Sequence, residues 1–229
     1  MKHLLLLHGA LGTGDDLNKL QVALEDSFIV HVFHFSGHGG LPLPKEKFSI
    51  DLFVQDVLNY LKKEQLETVN IFGYSMGGYV GMYLARHAAR RVEKLATLGT
   101  KFNWDEEIAA KETSMMNPVL ISQKVPVFAQ QLQQKHSLQN WEEVLGKTAA
   151  MLNMMGSKNP LQADDYALVQ QPVLLLSGDR DKMVSAAETI SIYKQLPDAS
   201  VGILPSTPHL LDQVDTELLA FNLKRFFLR

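Results

Sequence analysis

Six short apolar runs, separated for the most part by stretches of helical periodicity, constrain this chain more than any other feature. The runs are His3–Leu7, Phe28–Phe35, Thr68–Phe72, Lys94–Leu98, Pro172–Leu176 and Val201–Leu204. Each has the length and the leucine or β-branched content of a strand buried on both faces. Between them, Asp15–Leu24 opens on an acidic turn, and Ile50–Lys63 repeats Leu52, Phe53, Val57, Leu58 and Leu61 at helical spacing. Gly77–Arg90 starts small and apolar and ends basic, as the helix dipole favours. Ala186–Gln195 and Thr216–Phe227 complete the helical set. Strand and helix in alternation imply a parallel sheet covered by helices on both faces.

The rhythm breaks between Gly99 and Gln171, where about seventy residues hold no strand pattern and a structureless loop of that length is improbable. Helical patterns rich in Ala, Gln, Leu and Met fill it, with Met115, Met116, Met151, Met154 and Met155 among them. The expected organisation is therefore one domain, with residues 1–100 and 171–229 forming the core and residues 101–170 a helical cap. A length of 229 residues suits a single domain whose core needs no covalent staple. With no cysteine, disulfides, thiolate metal sites and a cysteine nucleophile are excluded, and a reducing cytoplasm fits. A net charge of −3 gives no reason to expect nucleic acid or an anionic membrane. Leu4–Leu7 is too short for a signal-peptide core, and no run approaches the roughly 18 apolar residues of a membrane span.

The chemistry concentrates in three loops. Gly73-Tyr74-Ser75-Met76-Gly77-Gly78 follows a strand and opens a helix, the setting in which a sharp turn lifts a serine hydroxyl off the sheet. Serine attacks only once a base takes its proton. Of the eight histidines, His209 lies just past the last strand run, at the carboxyl edge where α/β sites form. A carboxylate is then needed to orient the imidazole. Ser177–Val184 offers Asp181 and Asp179, with Asp181 preferred and Asp179 the alternative or a turn residue.

These residues resemble the α/β-hydrolase superfamily, whose members carry a nucleophile, an acid and a histidine in the order Ser75, Asp181, His209. Gly178–Val184 resembles the family's G-x-x-D-x-x-V stretch, which favours Asp181. His8-Gly9-Ala10-Leu11-Gly12 looks like the H-G-x-x-G loop, and by that likeness the N–H groups of Ala10 and Met76 form an oxyanion hole. Ser36–Gly40 resembles the P-G-H-G-x-S turn, and both His8 and His38 are expected to be structural. The resemblance implies a three-layer α/β-hydrolase fold of about six mostly parallel strands with a helical cap insertion. Two departures stand out. Many relatives carry two strands before the H-G loop, so one sheet edge here is expected to need cover or a partner. Pro208 stands where relatives often have glycine before the histidine.

Substrate class follows from the cap. Val92–Asp179 contains no arginine, the usual clamp for carboxylate and phosphate, although Lys101, Lys111, Lys124, Lys135, Lys147 and Lys158 are available as weaker cations. Methionines, Phe102, Phe128 and Trp104 suit an adaptable acyl pocket, or simply pack the cap. The expected activity is hydrolysis of a small or medium, mostly uncharged carboxylic ester through an acyl-enzyme. Alternatives of the same fold are a thioesterase, a lyase resembling those of the menaquinone pathway, or a weakly catalytic ligand receptor. The expected partner is a small-molecule ester or thioester. No His/Asp/Glu group has ligand spacing, so no metal or organic cofactor is indicated.

Overall fold

The computed structural model describes residues 1–138 and 140–229. Its centre is a six-stranded sheet in the order β2-β1-β3-β4-β5-β6, formed by β1 (Lys2–Leu7), β2 (Phe28–Phe33), β3 (Val69–Tyr74), β4 (Val92–Leu98), β5 (Val173–Gly178) and β6 (Ala199–Leu204). Every neighbouring pair runs parallel. The uniform apolar runs divide by strand alternation. Leu5 and Leu7 pack in one core layer with Phe53 and Val57 of α2 (Ile50–Lys63) and Val80 of α3 (Met76–His87). Leu4 and Leu6 pack in the other with Leu20 and Leu24 of α1 (Asn18–Leu24) and Leu223 and Phe227 of α10 (Thr216–Phe227).

The expectation of strands buried on both faces holds for β1, β3 and β5 but not at the edges. Ile29 of β2 is 44% exposed and Ile203 of β6 is 41% exposed, because an edge strand has a neighbour on one side only. The helix expected over Asp15–Leu24 divides into a 3-10 turn, Gly14–Leu17, and α1. Asp16 turns back there to accept the N–H of Thr13 at 2.9 Å. The helix expected over Gly77–Arg90 starts at Met76 and ends at His87, and a second 3-10 turn, Ala89–Arg91, follows.

Between β4 and β5 the chain forms α4 (Glu106–Thr113), α5 (Pro118–Lys124), α6 (Pro126–Lys135), α7 (Trp141–Ser157) and the short α8 (Ala163–Tyr166), and α9 (Ala186–Tyr193) joins β5 to β6. Side-chain caps set several of these starts: Asp105, Asn117 and Asn140 each accept a backbone N–H from the first turn that follows. This helical insertion shares the main core through Val144, Met151 and Met155 of α7. Among the described residues no helix is long and apolar enough to cross a membrane.

The strand order reverses between β1 and β3, which lie side by side with Leu7 opposite Gly73. A crevice opens where the loops leaving two such strands part, and in open α/β sheets this is where ligands bind.

Candidate active site

The turn after β3 allows only a narrow set of residues. A Cβ on Gly73 would lie 2.4 Å from the backbone of Gly77 and Gly78, and one on Gly77 would lie 2.4 Å from the Leu7 carbonyl oxygen. With both positions bare, the strand turns straight into α3 and Ser75 is left at φ 51° and ψ −116°. That conformation costs a non-glycine residue about 1–3 kcal/mol and persists only where the surroundings over-determine it. Here they do. The Ser75 N–H donates to the Leu98 carbonyl at 2.9 Å, and the Ser75 carbonyl accepts the hydroxyl of Thr100 at 3.0 Å.

His209 reaches Ser75 from the loop after β6. Its Nε2 lies 3.3 Å from Ser75 Oγ, and its Nδ1 lies 2.7 Å from Asp181 Oδ2. The second Asp181 oxygen accepts the N–H groups of Met183 and Val184, each at 2.8 Å. Burial works against ionisation of Asp181, but the hydrogen bond from His209 and those two backbone donors outweigh it and hold its pKa below the ordinary 3.8. An ionised carboxylate only accepts, so the Nδ1 of His209 carries the proton and Nε2 presents a lone pair to the serine hydroxyl.

Asp179 has a different task. Its side chain accepts the Thr207 N–H at 3.0 Å, and the Arg180 N–H donates to the Thr207 carbonyl at 3.1 Å. The turn after β5 therefore holds from beneath the Pro205–His209 loop, in which Ser206 adopts a φ of 54°. The hydroxyl of Tyr74 donates to the His209 carbonyl at 2.8 Å, fixing the loop from the other side. Tyr74 and Thr100 carry no motif signal that would single them out; Tyr74 fills a variable position of the G-x-S-x-G stretch.

Ala10 and Met76 line the same cavity as Ser75 and His209. Among the described residues, no hydrogen bond takes the N–H of either. Behind them His8 is fully buried; its Nδ1–H donates to the Gly9 carbonyl at 2.8 Å and its Nε2 accepts the Phe35 N–H at 3.3 Å. Burial first, then the nearby His38, depresses its pKa well below 6.5. His38 is likewise buried, with Nδ1 3.1 Å from the Ser36 carbonyl.

The cavity measures about 1090 Å³ and runs beneath the insertion. Trp104, Met116, Phe128, Leu132, Leu152 and Met155 supply much of its apolar wall. Phe102 and Met151 are instead core residues, and Met115 and Met154 are exposed. Two of its lysines are already matched by carboxylates. Lys101 Nζ lies 3.6 Å from both Glu112 and Glu188, and Lys135 Nζ lies 2.7 Å from Asp16. Lys147 is held by the carbonyls of Pro44 and Glu46. Among the described residues no group of three or more His, Asp or Glu is placed to hold a metal ion.

A family model described as the alpha/beta hydrolase fold matches residues 2–134, and the chain belongs to that family. It is 24% identical, over 95% of its length and 90% of the relative's, to a putative non-heme chloroperoxidase of Synechocystis sp.. It is 20% identical to a putative esterase/lipase of Haemophilus influenzae, over 97% of this chain and 82% of that one. Among solved structures, a thermophilic esterase from Thermogutta terrifontis superposes with a TM-score of 0.82 at 18% identity, covering 100% of this chain and 90% of the other.

Proposed function

We propose that the chain is a serine hydrolase that cleaves a carboxylic ester of a small or medium, mostly uncharged substrate. The observation that carries this reading is the unbroken hydrogen-bonded line from Ser75 through His209 to Asp181, opening onto the apolar cavity. In the first step Ser75 Oγ attacks the ester carbonyl carbon while its proton passes to His209 Nε2. The carbonyl oxygen becomes an oxyanion and takes the N–H groups of Ala10 and Met76; each such donor is worth about 10²–10³ in rate. Asp181 stays ionised and stabilises the imidazolium. His209 then returns the proton to the departing alkoxide, leaving an acyl group on Ser75, and water repeats the sequence to release the acid. The 3.3 Å gap between Oγ and Nε2 is long for this transfer, and catalytic hydrogen bonds commonly tighten once substrate fills the site.

The insertion over residues 101–170 acts in this reading as the cap that shapes the acyl pocket. Lys101 and Lys135 argue for a neutral acyl group, since at either one a substrate carboxylate would have to displace Glu112, Glu188 or Asp16, which already balance the charge. The test is turnover of a p-nitrophenyl ester series with neutral acyl chains, set against esters whose acyl chain ends in a free carboxylate. The neutral series is expected to be favoured in kcat/KM by about tenfold or more, the scale of one unbalanced charge. A preference for the carboxylated esters contradicts the substrate class. A burst followed by arrest, with acyl group retained on Ser75, contradicts turnover and favours a receptor.

A further inference from the structure

His136 is the C-cap of α6 and is buried against the loop that follows β1. Its Nε2 lies 3.1 Å from the carbonyl oxygen of Leu11, so Nε2 carries the proton and donates it. Leu11 holds a φ of 58°, a conformation leucine adopts only under constraint, and it adjoins Ala10. The preceding residue grips the same segment further along: Lys135 pairs with Asp16, which also accepts the Thr13 N–H. The His136 ring stands edge-on to His38 at 5.6 Å between centroids, and His38 stands 5.1 Å from His8, the first residue of the loop. Two consecutive residues of the insertion thus clasp the His8–Asp16 segment.

Apolar packing does not account for a histidine here. Among the described residues its Nδ1 is buried without a hydrogen-bond partner, a cost that leucine or methionine would avoid. What an apolar side chain cannot supply is the donor to Leu11. We propose that His136 is a positioning residue for the oxyanion loop: its bond to the Leu11 carbonyl fixes the left-handed turn that aims the Ala10 N–H at the Ser75 site. Docking of the insertion and completion of the oxyanion hole are then one event. The inference rests on the ester-hydrolase reading for its catalytic consequence, though the loop geometry is measurable without it.

Three variants separate the bond from the packing. The amide nitrogen of His136→Gln reaches where Nε2 does, that of His136→Asn corresponds to Nδ1, and His136→Leu has no donor. Turnover of a neutral ester and hydrogen exchange of the hydrogen-bonded loop amide, that of Gly12, which donates to the Gly9 carbonyl at 3.1 Å, are both followed. His136→Leu and His136→Asn are expected to lose about 10–100-fold in kcat, the scale of a misaimed oxyanion donor, with KM changed by less than about threefold. Their Gly12 amide exchanges about tenfold faster or more, while His136→Gln stays near native in both measurements. His136→Met serves in place of the leucine variant should the latter not fold. Equal losses in the glutamine and leucine variants, or native exchange in all of them, overturn the proposal. A native protein without turnover fails the hydrolase reading alone, and the exchange comparison still decides the role of His136.

Discussion

Acid sensitivity should be built into the wall behind the loop that follows β1. His38 is fully buried, stacked on Phe48 at 5.3 Å and flanked by His8 and His136. Burial lowers its pKa from 6.5 to about 4; the nearby His136 and His34 add to that, and the hydrogen bond to the Ser36 carbonyl opposes it. The sign follows directly. Between those two values the unfolded chain binds a proton at this position and the folded one does not, so stability falls as pH falls through the window. At about 1.4 kcal/mol per pH unit the full interval is worth about 3 kcal/mol, of which about 2.5 kcal/mol is lost by pH 4.5. His8 and His136, also depressed chiefly by burial, add losses of the same sign. The informative variant is His38→Asn, whose amide replaces Nδ1 as donor to Ser36 but does not titrate. Losing the ring will destabilise it at pH 7.5. Urea unfolding followed by the fluorescence of Trp104 and Trp141, at pH 7.5 and 4.5, should show this deficit shrinking by about 2.5 kcal/mol on acidification. A deficit that is the same at both pH values refutes the reasoning, since it means His38 takes up its proton equally in both states.

Two further outcomes follow from the site. Asp181→Asn should lower kcat/KM by about 10⁴, as the amide favours the wrong imidazole tautomer, whereas Asp179→Asn keeps an acceptor for Thr207 and should stay within about threefold. Steady-state kinetics on a neutral ester reads both, and the reverse ranking would reassign the orienting acid. Gly77→Ala should destabilise by about 3 kcal/mol or more, or leave the chain insoluble, because the methyl group meets the Leu7 carbonyl at 2.4 Å. Denaturant unfolding checks it, and near-native stability would mean that the turn after β3 relaxes freely.

Much of this architecture was legible because local signals agreed with one another. α2 and α10 begin and end where their apolar periodicity does, each opened by a side-chain cap, Ser49 and Asp215. The three loops named from sequence share one end of the sheet because all six strands are parallel, which brings Ser75, Asp181 and His209 into one hydrogen-bonded line. The ambiguity between Asp179 and Asp181 was physical. Both lie in one turn, and only the three-dimensional path of the His209 loop separates a carboxylate under Thr207 from one against the imidazole. What stayed hidden are contacts without a local pattern. Tyr74 meets His209 across 135 residues, and His136 meets Leu11 across 125. No periodicity or spacing encodes such pairs; they exist only once strands and insertion are assembled. The exposure of the edge strands is hidden for a related reason, since Phe28–Phe33 is as apolar as a central strand and its edge position is a property of the whole sheet.

The central claim is that Ser75 is an activated nucleophile, and covalent labelling tests it most directly. A fluorophosphonate probe forms a stable bond only with a serine whose hydroxyl is deprotonated in place and whose oxyanion is received. Native protein should label to one equivalent per chain, mapped by mass spectrometry to the peptide containing Ser75, and Ser75→Ala should not label. Native protein that stays unlabelled, or a Ser75→Ala variant that labels equally well, contradicts the account.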